Sequence, residues 1–182
     1  MPEREGTSRR RLLGLGLASA WALLTGARAG AAPALSERAL AFRNLHTEET
    51  LVTVYWAEGR YLPEALADID YILRDFRTEE TAPIEVGLLD LLHELQQVTD
   101  SAAPFEIISG YRSPATNAML ASTSAGISRK SFHMFGMAAD IRLADLPLKQ
   151  LRKAAQGLGR GGVGYYPSSN FIHLDIGPVR SW

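Results

Sequence analysis

The chain contains no cysteine. That excludes a disulfide framework, a cysteine nucleophile, thiolate zinc fingers, iron–sulfur clusters and lipid-modified cysteines. It also lacks a strong charge surplus: 19 Lys+Arg stand against 20 Asp+Glu, for a net charge of −1. Nothing in that balance argues for nucleic acid as a partner. Histidine is scarce, with four in 182 residues: His46, His93, His133 and His173. A transition metal would have to be held by these together with Asp or Glu. Long hydrophobic runs are missing too. The run Leu12–Leu24 spans 13 residues, short of the about 20 that a membrane helix needs. What is present is an ordinary globular balance, 46% hydrophobic and 21% charged, enough for one domain with a real core.

The first residues read as an address. Ser8-Arg9-Arg10-Arg11 precedes the apolar run, and small residues follow it. A-x-A sites occur at Ala27-Arg28-Ala29, Ala29-Gly30-Ala31 and Ala32-Pro33-Ala34. This is the layout of a cleaved signal. The paired arginines, the glycine-softened run and Arg28 resemble a twin-arginine leader, with a plain secretory signal or a short anchor as the alternatives. Residues 1–31 are therefore expected to be a signal peptide and 32–182 the working domain, exported and in a two-membrane bacterium periplasmic. No stable membrane span is expected after removal. The leader holds Arg4, Arg9, Arg10, Arg11 and Arg28 against Glu3 and Glu5. Removing these 31 of the 182 residues leaves 151 and takes the net charge from −1 to −4.

Along the remaining chain, Arg38–Leu45 and Thr50–Ala57 read as a β-hairpin. Pro63 opens a helix to about Phe76, with Leu66, Ile69, Ile72, Leu73 and Phe76 on one face. A second helix, about Ile84–Val98, is apolar nearly all round and should be well buried. Phe105–Ile108 is a short strand. Ser113-Pro114 caps and opens a helix to about Ala121, and 122–130 is a loop. Met137–Leu143 is a strand and Pro147–Leu158 a helix stopped by glycine. Gly162–Tyr165 and Asn170–Ile176 are terminal strands joined through Pro167-Ser168-Ser169. The expected class is α+β, with a mainly antiparallel sheet.

Three segments carry the chemistry: Ser109–Pro114, Ser131–Asp140 and Phe171–Gly177. His133 stands before a glycine turn. Asp140 lies in an apolar strand, where a carboxylate is costly to bury unless it is paired or binds a metal. His173 and Asp175 are two apart in a strand, so both point to one face. Two imidazoles and a carboxylate suit tetrahedral Zn²⁺ with one position left open. On spacing alone, a hydrogen-bonded core histidine is the more ordinary use of His133.

The pattern S-x-H-x-x-G-x-A-x-D over Ser131–Asp140, followed by H-x-D at His173–Asp175, resembles the zinc peptidases related to D-alanyl-D-alanine dipeptidases and carboxypeptidases. Further segments are similar to the murein endopeptidase branch of that family. They are Asn44-Leu45-His46-Thr47, Ile108–Ser113 with Thr116-Asn117, Gly161–Pro167 with Ser169-Asn170-Phe171, and Gly177–Trp182. The resemblance runs from about residue 38 to the last residue. It implies the fold shared by hedgehog signalling domains and D,D-peptidases, a small antiparallel sheet with helices on one side. It implies His133, Asp140 and His173 as zinc ligands. It also implies peptidoglycan cross-links as substrate, of the meso-diaminopimelate–meso-diaminopimelate and the D-alanine–meso-diaminopimelate type.

In such a site the zinc polarises the scissile carbonyl and lowers the pKa of a bound water to roughly 7. Arg112 matches an arginine that serves the oxyanion or a substrate carboxylate in relatives. Many relatives carry a glutamate base three residues before the last ligand, but here that residue is Asn170, which cannot take the proton. Asp175 remains, either as the base, which is the reading taken, or as an acceptor that orients an imidazole. Ser131 and Tyr111 are expected substrate contacts, with Tyr165 and Tyr166 as further wall candidates. Trp182 is expected against the core, His93 as an ordinary helix residue and His46 at a hairpin turn without a role. The rival readings are a D-alanyl-D-alanine carboxypeptidase or dipeptidase and an inactive peptidoglycan-binding module.

Overall fold

The computed structural model describes residues 37–123 and 128–182. The expected leader, residues 1–31, lies outside the described residues. The hairpin forms as expected, from β1 (Arg38–Asn44) and β2 (Thr50–Ala57). Leu40, Phe42 and Asn44 alternate inward along β1. The Asn44 side chain builds the turn by accepting from the His46 and Thr47 amides at 2.9 and 3.3 Å. A two-residue strand, β3 (Arg60–Tyr61), folds back on β2 through Glu58 and Gly59, both at positive φ.

Helix α1 spans Pro63–Ile72, with the proline in its first turn. It stops short of the expected Phe76. Leu73 leaves helical geometry, and its carbonyl is taken by the Tyr111 amide at 2.7 Å. Helix α2 (Val86–Thr99) buries Leu88, Leu89, Leu91, Leu92 and Leu95, which its all-round apolar pattern requires. After β4 (Phe105–Ser109), Ser113 caps α3 (Pro114–Thr123), its hydroxyl accepting from the Thr116 amide at 3.2 Å. Then come β5 (Ala138–Arg142) and α4 (Leu148–Leu158), the helix ended by Gly159 at positive φ. Strands β6 (Gly162–Tyr166), β7 (Phe171–Asp175) and β8 (Arg180–Ser181) finish the chain.

The strands form one sheet in the order β3-β2-β1-β4-β5-β7-β6-β8. Among the described strands β1–β4 and β6–β8 pair parallel and the rest antiparallel. The fold is α+β, as expected. Leu40, Phe42, Phe105, Ile107, Ala139, Ile141, Val163, Ile172 and Leu174 join the buried leucines and isoleucines of α1, α2 and α4 in one core. Side chains alternate along a strand, so the residues between these point to the opposite face. On β5 and β7 those residues are Asp140, His173 and Asp175. The core therefore fixes, by register alone, which side chains look away from the helices.

Candidate metal centre

Cross-strand register brings two of the expected ligands together. Asp140 pairs with His173 and Ala138 with Asp175 in the antiparallel β5–β7 ladder. Ser109 also stands opposite Asp140, across a bulge between Ile107 and Ser109. After β4 the chain stays beside the site, where the Arg112 amide donates to the His133 carbonyl at 3.1 Å. His133 comes from a single 3-10 turn, Phe132–Phe135, stopped by Gly136 at φ 65°. A Cβ on Gly136 would collide with the Pro83 carbonyl. The glycine thus serves both the left-handed turn and the close approach.

Each imidazole is aimed from behind. His133 Nδ1 donates to the Gly110 carbonyl at 2.7 Å, and His173 Nε2 to Asp175 Oδ2 at 2.9 Å. Those bonds leave His133 Nε2 and His173 Nδ1 as lone-pair atoms turned to one point. The two nitrogens are 3.2 Å apart. Asp140 Oδ1 lies 3.3 Å from the first and 2.9 Å from the second. Ligands of a tetrahedral ion with bonds of 2.0–2.1 Å stand about 3.3 Å apart. Three such atoms facing one another at that spacing are held together by a proton or by a metal cation between them. The residues present fit a metal, and His133, Asp140 and His173 are all buried.

The electrostatics agree. Burial alone would raise the Asp140 carboxyl, but His133 and His173 beside it hold it well below the usual carboxylate range. Burial favours the neutral His173 ring, yet its bonds to Asp140 and Asp175 outweigh that and raise its pKa to about 9. Without a metal ion His173 therefore carries a proton on Nδ1, directed at Asp140 Oδ1 at 2.9 Å, and a bound cation would take that proton's place.

A cavity of about 450 Å³ opens over these atoms. Arg112, Lys130 and Ser131 line it with the three candidate ligands. Arg112 is 6% exposed, and its Nη2 lies 3.4 Å from Ser109 Oγ and 3.5 Å from Asp140 Oδ2. Its Nε has no hydrogen-bond partner among the described residues. Burial lowers the Arg112 pKa, with the Asp140 charge opposing, and the guanidinium remains charged. Ser131 precedes the His133 turn but makes no side-chain cap bond. Its hydroxyl is left to the cavity.

Other expected residues are placed differently. Tyr111 does not line the cavity; it packs against the core, and burial raises its phenol. Asp175 does not line it either. It is fully buried behind His173, with Oδ1 accepting from the Gly162 amide, the Gly177 amide and Arg180 at 3.2, 2.8 and 3.0 Å. Its Oδ2 accepts from His173 and from Arg180, the latter at 2.7 Å. Burial would raise this carboxyl, but His173 and Arg180 hold it well below the usual range. Both oxygens of this carboxylate are thus engaged by donors, an arrangement suited to orienting the His173 ring. Asn170 sits at φ 54° in the exposed turn before β7, outside the cavity lining.

Trp182, expected against the core, is 47% exposed and lines the cavity. Its ring lies 5.4 Å from that of His173, and its Nε1 donates to the Tyr166 hydroxyl at 2.9 Å. Tyr166 lines the cavity, stacked on Phe171 at 4.7 Å, whereas Tyr165 packs toward the core. His93 bonds the Ala39 carbonyl at 3.4 Å, and His46 stacks on Phe76 at 3.7 Å. Sequence reasoning missed Arg180 as a partner of Asp175. The available signal was that a buried acid needs a cation, and Gly177–Trp182 supplies one arginine.

A family model described as peptidoglycan L,D-endopeptidase MepK matches residues 32–182. The peptidoglycan L,D-endopeptidase MepK of Escherichia coli strain K12 is 39% identical over 176 residues, covering 96% of this chain and 97% of its own. The Shigella flexneri protein of that name matches to the same extent. A probable peptidoglycan L,D-endopeptidase MepK of Haemophilus influenzae is 41% identical over 146 residues, 80% of this chain and 78% of its own. With its sheet, its buried His–Asp–His triad and this similarity over nearly its whole length, the chain belongs to the peptidoglycan L,D-endopeptidase MepK family of peptidases.

Proposed function

We propose that this protein is a zinc-dependent murein endopeptidase that hydrolyses peptide cross-links of peptidoglycan. The bonds cleaved are of the meso-diaminopimelate–meso-diaminopimelate type and also of the D-alanine–meso-diaminopimelate type. The observation that carries the reading is the triad of lone-pair atoms within 2.9–3.3 Å, set at the floor of a cavity beside a buried arginine. His133, Asp140 and His173 would hold the ion. When bound, it would polarise the scissile carbonyl and bring a water's pKa to roughly 7.

This chain's own residues do the rest. Gly110 and Asp175 hold the two imidazoles in the required tautomers and directions. Arg112, with Nε unpartnered, donates to the oxygen on which negative charge develops. Its burial strengthens that bond, since less water competes there. Ser131 offers a hydroxyl to the peptide from the same wall. Asp175 orients His173 and takes no proton from water.

The protein acts in the periplasm after export through a twin-arginine leader at residues 1–31. The Arg9-Arg10 pair and the wall substrate support that location. Among the described residues no helix is long and apolar enough to cross a membrane.

The test is digestion of purified sacculi containing both cross-link types by residues 32–182, with zinc and with chelator. Loss of cross-linked dimers with zinc alone is the expected result. Trimming of free pentapeptide ends alone would replace the reading with a carboxypeptidase, and no product at all with a binding module.

A further inference from the structure

We propose that Arg180 is a positioning residue of the metal centre, one that fixes the direction of the His173 ring by clamping Asp175. The proposal rests on the reading that His133, Asp140 and His173 hold a metal.

Asp175 is 0% exposed, and Arg180 is its one cationic side-chain partner besides His173 among the described residues. The contact is bidentate: Nη1 to Oδ1 at 3.0 Å and Nη2 to Oδ2 at 2.7 Å. A fork of this kind fixes the plane of a carboxylate, which a single bond does not. That plane decides where Oδ2 points, and Oδ2 is the atom to which His173 Nε2 donates. The chain of contacts therefore runs from guanidinium to carboxylate to imidazole to the lone pair on Nδ1.

The guanidinium also lies within cation–π range of two rings. It lies 5.3 Å from the ring centre of Phe132 and 4.9 Å from that of Trp182. Phe132 directly precedes His133, and Trp182 faces the His173 ring. One side chain thus touches a neighbour of each imidazole ligand. The backbone makes room for the clamp, because a Cβ on Gly162 would collide with Arg180 Nη1 and Asp175 Oδ2. Gly162 also pairs with Arg180 in the β6–β8 ladder, which seats the arginine at this spot. An arginine that only tied down a short surface strand would not need a fully buried partner bonded to a candidate ligand.

The test uses the domain of residues 32–182 in metal-free form. Zinc affinity is measured by competition with a chelating dye, the ligand-field spectrum by cobalt substitution, and the melting temperature of the metal-free form separately. Arg180→Gln should weaken zinc binding by about tenfold, the low end of what outer partners of metal ligands cost, and shift the cobalt bands. Arg180→Lys keeps the charge without the fork, so it should lose affinity in the same direction and less; it decides the matter if Arg180→Gln does not fold. In an Asp175→Asn background, Arg180→Gln should add little further loss, because the effect travels through Asp175. A lowered melting temperature with zinc affinity and cobalt spectrum unchanged would overturn the proposal, as would full additivity with Asp175→Asn. Absence of metal binding in the unmodified domain would instead overturn the reading of the triad itself.

Discussion

Replacing Asp175 by Asn separates its two conceivable roles. All five of its hydrogen-bond partners are donors: the Gly162 and Gly177 amides, two Arg180 nitrogens and His173 Nε2. Three meet Oδ1 and two meet Oδ2. An asparagine amide carries one oxygen, so whichever way it turns, its NH₂ faces donors. Turned toward Oδ2's partners, it leaves His173 without its acceptor; turned the other way, it strands two backbone amides. An unsatisfied buried donor costs about 1–3 kcal/mol. In a domain of this size about 2 kcal/mol lowers the melting temperature by roughly 4–8 °C. Losing the imidazole's acceptor should weaken zinc binding about 10–100-fold. Dye competition measures the affinity and thermal unfolding the stability. Zinc affinity kept within about twofold of the unmodified protein and an unchanged melting temperature, with turnover abolished, would refute the orienting role and make Asp175 the base.

Other perturbations reach other parts of the account. Arg112→Ala should lower turnover of cross-linked dimers about 10²–10³-fold while zinc content stays at the unmodified level; lost zinc would mean that Arg112 is needed to build the site. Gly136→Ala combines a positive φ with a collision at the Pro83 carbonyl, so it should cost more than about 1 kcal/mol in chemical denaturation, and an unchanged midpoint would contradict that packing. Asp90 accepts from Arg38, Tyr55 and Tyr61; burial opposes its charge, yet those bonds pull its pKa below the ordinary 3.8. Its stabilising contribution is therefore present above pH 3.8 and lost as pH falls through the lower folded value, and the stability difference from Asp90→Asn should shrink over that acid window.

Much of the site was legible because its signals are local. An aspartate between Ala139 and Ile141 had to be paired, and the H-x-D spacing put His173 and Asp175 on one face. Both follow from strand period and desolvation. The hairpin and α2 were readable for similar reasons of alternation and all-round apolarity. The misses share a different cause. Strands β3 and β8 have two residues each, too few to show a period. The end of α1 is set by the amide of Tyr111, far along the chain, which takes the Leu73 carbonyl. The enclosure of Asp175 was not readable either, because it comes from Gly162 and Arg180, on strands β6 and β8. Trp182 looked like a core residue, but the same β6–β8 pairing carries it to the cavity wall instead.

Zinc stoichiometry of the metal-stripped domain tests the central claim most directly. One equivalent should bind per chain in the unmodified protein, and binding should be lost in His133→Ala, Asp140→Ala and His173→Ala alike while each variant stays folded by circular dichroism. Zinc bound with undiminished affinity by folded variants lacking any one of the three would contradict the account.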